Sequence, residues 1–102
     1  MVSKVVPVTG TFTKVGLAAR DDGTFVLVGT AWDQNNWRAF QFSVEPSGQI
    51  TSLGMARGTG HVLHDPIFSN VGMLLPVEDR SKFRMVDLAP ALFSRSEKVQ
   101  SL

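Results

Sequence analysis

The stretch GLAARDDGTFVLVGT, residues 16–30, decides the fold, because an Asp-Asp-Gly turn separates two segments rich in apolar residues. A two-residue turn at Asp22-Gly23 would place Arg20 opposite Phe25 and bring cations onto an apolar face. A three-residue loop with Gly23 in the left-handed region avoids this conflict and predicts an antiparallel hairpin. In that register the opposed residues are Ala19 and Phe25, Leu17 and Leu27, and Val15 and Gly29.

The stretch TAWDQNNWRAF, residues 30–40, extends the hairpin into a third strand. A four-residue loop over 33–36 predicts Trp32 opposite Trp37, Gly29 opposite Phe40, Leu27 opposite Phe42 and Phe25 opposite Val44. Side chains alternate between the two faces of a strand, so these pairs define one apolar face that we expect to be the core. Its members are Val15, Leu17, Ala19, Phe25, Leu27, Phe40, Phe42 and Val44.

The opposite face of these strands also carries apolar residues. An aromatic pair across a hairpin stabilises it by about 0.5–1 kcal/mol, so Trp32 and Trp37 have a sufficient structural role as a staple. The alternative is that they belong to an exposed patch, since such patches mark binding surfaces and aromatic residues dominate their energy. The predicted interface residues are Phe12, Val26, Val28, Trp32 and Trp37.

Turn residues recur along the remaining chain and predict further short strands. We expect a fourth strand over about 49–55, a short strand at 61–63, and a hairpin around Glu78-Asp79. Pro76 lacks a backbone donor and indicates an edge position for its strand. Asp87 is a candidate N-cap for a short helix from about Ala89.

These elements predict an all-β fold. We expect a small antiparallel meander, or a partly open barrel or sandwich, of about six or seven strands with a short C-terminal helix or tail. The length of 102 residues fits one core. The predicted organisation is a single β domain over 1–96 and a flexible tail over 97–102.

Residues 21–30, DDGTFVLVGT, and 38–54, RAFQFSVEPSGQITSLG, together resemble the blade motif of seven-bladed β-propellers. In that motif an Asp-Gly turn precedes an apolar strand and a Gly-containing turn follows another. A complete propeller needs several blades, which the length excludes.

Composition limits the classes of partner. Ten Lys and Arg against nine Asp and Glu give a net charge of +1, so the chain has no global field for a polyanion. Cysteine is absent, which excludes disulfides and thiolate metal sites and suits a reducing compartment. No apolar run is long enough for a bilayer. We therefore expect no membrane association and a cytoplasmic or virion-associated location.

Catalytic and metal signatures are missing from the sequence. His61 and His64 are three residues apart, and on a strand such positions point to opposite sides, so we expect no metal site. Residues 57–61, RGTGH, have glycines that suit an anion nest but lack the lysine and hydroxyl of a phosphate loop. We expect no cofactor and no enzymatic activity, because nucleophile and base patterns are absent.

One strand has a cationic face. Arg80, Lys82 and Arg84 alternate with Ser81, Phe83 and Met85. Together with stacking by Trp32 and Trp37, this row predicts, as an alternative, a platform for single-stranded nucleic acid. The same alternation is also typical of a solvated edge strand.

The sequence therefore favours a non-catalytic protein-interaction or structural module. Its partner would be another protein or a second copy, in a homo-oligomer or as an accessory subunit of a larger assembly such as a virion. Nucleic-acid binding remains the alternative.

Overall fold

The computed structural model of the protein describes residues 10–31, 35–70 and 72–93. Within these ranges all regular structure is β-strand, except for one turn of 3-10 helix at Pro90–Leu92. The strands are β1 Phe12–Ala19, β2 Thr24–Ala31, β3 Asn36–Val44, β4 Ile50–Thr59, β5 His61–Val62, β6 Ile67–Ser69, β7 Gly72–Asp79 and β8 Lys82–Asp87.

The all-β prediction is confirmed, with two differences in detail. The described ranges contain eight strands, because the short β6 was not expected. The predicted C-terminal helix is not confirmed: Ala89 is extended, no side chain caps the turn that follows, and the turn ends at Leu92. The tail predicted over 97–102 lies outside the described residues.

The β1–β2 hairpin has the three-residue loop expected from the sequence. Gly23 has φ +87°, and the Arg20 amide donates to the Thr24 carbonyl oxygen at 2.8 Å across the loop. Ala19 opposes Phe25 and Leu17 opposes Leu27, as predicted. A bulge between Thr13 and Gly16 then shifts the register. The shift places Phe12 opposite Ala31, on the face that Leu17 and Leu27 share.

The predicted pairing of β2 with β3 is wrong by two residues. Phe40 opposes Leu27 rather than Gly29, and Trp37 opposes Thr30. The predicted partner of Trp37, Trp32, lies outside the described residues. A shift of two leaves each side chain on its predicted face, because strand side chains alternate with a period of two. Phe25, Leu27, Phe40 and Phe42 therefore do share one face.

The strands form two antiparallel sheets. Sheet A has the order β1-β2-β3-β4, which is an up-and-down meander. In sheet B, β7 pairs with β8 along one edge and with β5 and β6 along the other. Gly60 alone separates β4 from β5, so one nearly continuous segment passes from sheet A to sheet B. The buried Val62 amide donates to Thr30 Oγ1 at 2.9 Å and joins the sheets there.

The hydrophobic core lies between the sheets and uses the face of sheet A opposite to the one predicted. Val26 and Val28 are 0% and 1% exposed, whereas Val15 and Leu17 of the predicted core are 60% and 51% exposed. Val44, also predicted to be core, is exposed as well. The core residues are Val26, Val28, Trp37, Ala39, Ala56, Val62, Met73, Leu75, Val77, Leu88 and Phe93.

Side-chain volume explains the choice of face. Apart from Trp37, the inward positions of β3 and β4 are small or slender, with Ala39 opposite Ala56 and Gln41 opposite Gly54. The large residues Met73 and Leu75 of sheet B fill the space that these positions leave. Interiors are packed nearly as densely as organic crystals, so a face of small residues is matched by a face of large ones.

Pro76 lies in the middle strand of sheet B, so the predicted edge position is wrong. Its carbonyl oxygen accepts from the Leu63 amide at 3.0 Å. Backbone donor and acceptor of one residue point to the same side of an antiparallel strand. The ring nitrogen therefore faces the connection over 63–66, where the neighbouring strand is interrupted between β5 and β6. The reciprocal hydrogen bond to the Leu63 carbonyl is missing because proline has no N–H, and the β5 ladder ends at Val62.

In the part of the chain that the structure describes, we find no helix with the length and apolarity needed to traverse a bilayer.

Candidate interaction surface

The outer face of sheet A is apolar, and we call it the phenylalanine face. It has no other sheet of the described residues packed on it, because sheet B covers the inner side. Phe40 and Phe42 lie in its centre and are 8% and 7% exposed. The residues of the face are Phe12, Val15, Leu17, Phe25, Leu27, Phe40, Phe42 and Val44.

Aromatic contacts order the phenylalanine face. Phe12 meets Phe40 edge to face, with ring centroids 5.7 Å apart, and Phe25 stacks on Phe42 at the same distance. Each such pair adds about 0.5–1.5 kcal/mol beyond the area it buries. A shallow slot among Phe12, Leu27 and Phe40 opens at this surface. The rings form a pre-arranged surface, so a partner would bind without ordering them first.

Cations border the phenylalanine face at the end where β3 begins. Arg38 and Arg57 oppose each other on neighbouring strands, on the same face as the rings. The Arg38 guanidinium lies 5.9 Å from the centre of the Phe12 ring, and Arg38 Nε is buried without a hydrogen-bond partner. Like charges in directly opposed positions destabilise a sheet, so this pair has a cost within the isolated chain.

Anions border the opposite end, in the turns that follow β1 and β3. Asp21, Asp22 and Glu45 are all exposed there. The pKa of Asp22 is lowered, first by the hydrogen bond from the Thr24 hydroxyl at 2.6 Å and then by the Thr24 amide at 2.9 Å. The Arg20 side chain at this end is directed away from the phenylalanine face, because it donates to the Leu88 carbonyl oxygen and lies over the Phe93 ring.

The residues of the predicted interface do not lie on one surface in the structure. Phe12 lies on the phenylalanine face, and Trp32 lies outside the described residues. The prediction that Val26, Val28 and Trp37 are exposed is wrong, since none of them is more than 3% exposed. Sheet B packs directly on these side chains, which leaves them no surface for a partner.

Trp37 is tightly enclosed beside Gly58, which opposes it on β4. A Cβ atom at Gly58 would lie 2.7 Å from the indole Nε1, so only glycine leaves room for the ring. Trp37 Nε1 itself has no hydrogen-bond partner. The indole therefore stabilises the core by packing, although its unpaired N–H donor is unfavourable. It is not available for stacking on a base.

The predicted cationic row is not one continuous face. Arg80 lies in the β7–β8 turn with φ +54°, while Lys82 and Arg84 lie on β8. Arg84 donates to the Thr59 carbonyl oxygen at 2.9 Å and forms an ion pair with Asp79 at 3.7 Å. Its charge is thus engaged within the chain.

Asp79 is the acceptor of a polar network that joins the two sheets. It accepts from the Thr59 hydroxyl at 2.8 Å and from the Asn35 side-chain amide at 3.0 Å. The Thr59 hydrogen bond is the largest cause that lowers the pKa of Asp79, with Asn35 and the charges of Arg80 and Arg84 adding to it, while desolvation opposes them. The network fixes the β7–β8 turn against the end of β4.

Thr59→Val is expected to destabilise the protein at neutral pH. The variant should also lose less stability than wild type when the pH is lowered. A carboxylate with a lowered pKa in the folded state stabilises the fold above its ordinary pKa, and that contribution is lost as the pH falls through the lowered value. Without the Thr59 hydroxyl the pKa of Asp79 rises toward its ordinary value of 3.8. The stability difference from wild type should therefore shrink below about pH 4. Denaturant unfolding between pH 2 and about pH 7 measures it.

Thr51→Val is the matched control, because Thr51 is an exposed threonine near the other end of β4. Its effect should be the same at every pH. A Thr59→Val difference that also stays constant from neutral to acid pH would show that the hydroxyl does not act through Asp79.

A groove that the sequence did not indicate lies between the β1 bulge and the loop after β5. It has a volume of about 430 Å³, and its lining includes Lys14, His64 and Asp65. Lys14 has φ +52°, which is unusual for a residue with a side chain. The charges of Lys14 and Asp65 have opposite sign, so the groove favours neither anions nor cations. Among the residues described, no group of three or more His, Cys, Asp or Glu is arranged to hold a metal ion.

Comparisons with protein-family models, curated proteins and solved structures found no significant match to this chain.

Proposed function

We propose that the protein is a non-catalytic interaction module whose phenylalanine face binds a protein partner. The observation that carries this proposal is the exposure of large apolar side chains on one side of sheet A: Val15, Leu17 and Val44 are 60%, 51% and 42% exposed. They lie on the same face as the four phenylalanines, of which Phe12 and Phe25 are half-buried. Large apolar side chains that are exposed together on one face usually mark an interface.

The layout of the surface supports a protein partner. Rings lie at the centre and charged groups at the ends, which is the usual arrangement of a protein interface with an apolar core and a polar rim. The aromatic centre suits binding hot spots. A subunit of a homo-oligomer or an accessory protein of a larger assembly would use a surface of this kind. A cytoplasmic or virion-associated location is part of this proposal, and the lack of cysteine fits the reducing environment of the cytoplasm.

The nucleic-acid alternative has less support. Single-strand binding needs exposed rings next to free cations, but Trp37 is 3% exposed and Arg84 is engaged by Thr59 and Asp79. The cations on the same face as the phenylalanine rings are Arg38 and Arg57. A flat apolar surface with two cations at one end favours a protein over a phosphate backbone, which would need cations along its whole path.

Site-specific photo-crosslinking tests the proposed function. A photoreactive amino acid at position 17 lies in the phenylalanine face, and one at the exposed position 82 of β8 is the control. In the cells from which the protein comes, we expect a discrete covalent adduct with a protein from position 17 and not from position 82. The absence of an intermolecular adduct at position 17, or equal adduct patterns from both positions, would contradict the proposal.

A further inference from the structure

The ends of the phenylalanine face carry opposite charge. Arg38 and Arg57 lie at one end. The β7–β8 turn, which Asp79 links to Asn35 and Thr59, lies at the same end and carries the cation Arg80 together with the anions Glu78 and Asp79. Asp21, Asp22 and Glu45 lie at the other end. Asp87 joins these anions, since its charge acts on Arg20 next to Asp22. Charge is therefore separated along the strand direction of sheet A.

A surface with an apolar centre and opposite charges at its two ends is complementary to a copy of itself. Two copies related by a two-fold axis present the same patch to each other. If the axis is perpendicular to the strands, the cationic end of each copy meets the anionic end of the other. If the axis is parallel to the strands, like charges meet. Charge thus selects the first arrangement.

The size of the face sets an upper limit on the interface of such a pair. Four strands spaced about 4.8 Å apart, each about eight residues long with a rise of about 3.3 Å, give a face of about 500 Å². Two copies would bury at most about 1,000 Å² in total, because Phe40 and Phe42 at the centre are already buried, and this is the lower limit for a specific interface. We therefore expect a reversible dimer and not an obligate one.

We infer that the partner of the phenylalanine face is a second copy of this chain, bound face to face about a two-fold axis perpendicular to the strands of sheet A. This inference rests on the proposed function and specifies its partner. Two sheets can pack in this way with their strands within about 30° of alignment, as in a β-sandwich. The opposed cations Arg38 and Arg57 then gain anionic neighbours that the single chain does not give them.

A pair of charge-reversed variants tests the inference by sedimentation equilibrium. Arg38→Glu with Arg57→Glu makes the face anionic at both ends, and Asp21→Lys with Glu45→Lys makes it cationic at both ends. Each variant alone should lose self-association by at least about 100-fold in Kd relative to wild type. An equimolar mixture should regain it as a heterodimer, because both ends of the interface are then complementary. Asp22 is left unchanged, since it accepts hydrogen bonds from Thr24 in the turn.

Each variant is first checked for a cooperative melting transition. If the Arg38 change prevents folding, the single changes Arg57→Glu and Glu45→Lys replace the double ones, and the same loss and recovery are expected with smaller amplitude. Arg57 and Glu45 are both exposed, so these changes leave the core intact.

Failure of this inference is distinguishable from failure of the proposed function. A wild-type chain that stays monomeric at several hundred micromolar, or variants that self-associate as tightly as wild type, would overturn the second copy as partner. The photo-crosslink at position 17 then decides the proposed function separately. An adduct of twice the mass of the chain supports both proposals, an adduct with a different protein keeps only the proposed function, and a link confined to one chain contradicts both.

Discussion

Replacing Val28 by lysine is expected to abolish the folded state, whereas replacing Leu17 by lysine leaves it folded. Val28 is 1% exposed between the sheets, and Leu17 is 51% exposed on the phenylalanine face. Burying an unpaired charge costs several kcal/mol, about as much as the whole stability of a small domain. Circular dichroism through a thermal scan measures the outcome: no cooperative transition for Val28→Lys, and a transition near that of wild type for Leu17→Lys.

The two positions make a demanding comparison because hydropathy does not distinguish them. Both are apolar residues on neighbouring strands, and the sequence alone placed Leu17 in the core and Val28 outside. A folded Val28→Lys together with an unfolded Leu17→Lys would restore that assignment and contradict the two-sheet core.

Trp37→Ala is expected to destabilise the protein by about 3–5 kcal/mol, the range for removing a large aromatic side chain from a core. Trp37 is 3% exposed and packs within the cluster that joins both sheets. Because Nε1 has no hydrogen-bond partner, the indole contributes less to stability than a fully paired one would, and we expect an effect near the lower end of the range. Chemical denaturation, followed by circular dichroism because the substitution removes a fluorescent group, measures the change in the free energy of unfolding.

Phe83→Ala is the control for aromatic size. Phe83 is 77% exposed on β8, and surface substitutions of this kind usually change stability by less than about 0.5 kcal/mol. If Trp37→Ala is as mild as Phe83→Ala, the indole is not part of the core and would have to lie at a surface.

Local turn chemistry was predictable from the sequence. The Asp21-Asp22-Gly23 loop has few solutions compatible with the flanking apolar residues, and the expected one is present with Gly23 at φ +87°. The sequence does not determine the turn type of the next loop. Asp33 to Asn36 has no glycine that demands one turn type, so the strand register across it was misplaced by two residues.

The inward face of sheet A was not predictable from β1, β2 and β3 alone. Residues 25–28, Phe-Val-Leu-Val, are apolar on both faces, so alternation gives no direction. The face with the phenylalanines was assigned to the core because all its members are apolar in the predicted register, whereas the opposite face also holds polar residues. The available signal was in β4, where Gly54, Ala56 and Gly58 alternate and mark a face that approaches another layer closely. This alternation identifies the inward face only if a second sheet of larger residues is known to pack on it.

The candidate site was predictable only as a class of surface. The sequence predicted a second apolar face in addition to the core face. The apolar face that lies outside the core consists mainly of residues that were predicted to be core, and Phe12 is the residue that the predicted interface and the phenylalanine face share. The bulge between Thr13 and Gly16 moved Phe12 to the phenylalanine face, and a bulge has no reliable sequence signal in a stretch such as Thr-Lys-Val. Arg84 was expected to be free, and its engagement by Thr59 depends on contacts between distant segments.

Thiol reactivity tests the inward and outward faces of sheet A most directly, because the natural chain has no cysteine and one introduced thiol is unique. Val26→Cys and Leu17→Cys place it at positions that are 0% and 51% exposed. In native buffer, at a concentration where the protein sediments as a monomer, we expect the thiol at position 17 to react with a disulfide reagent at the rate of an exposed thiol. The thiol at position 26 should react only when the protein unfolds. Fast reaction at position 26 and protection at position 17 would contradict the account.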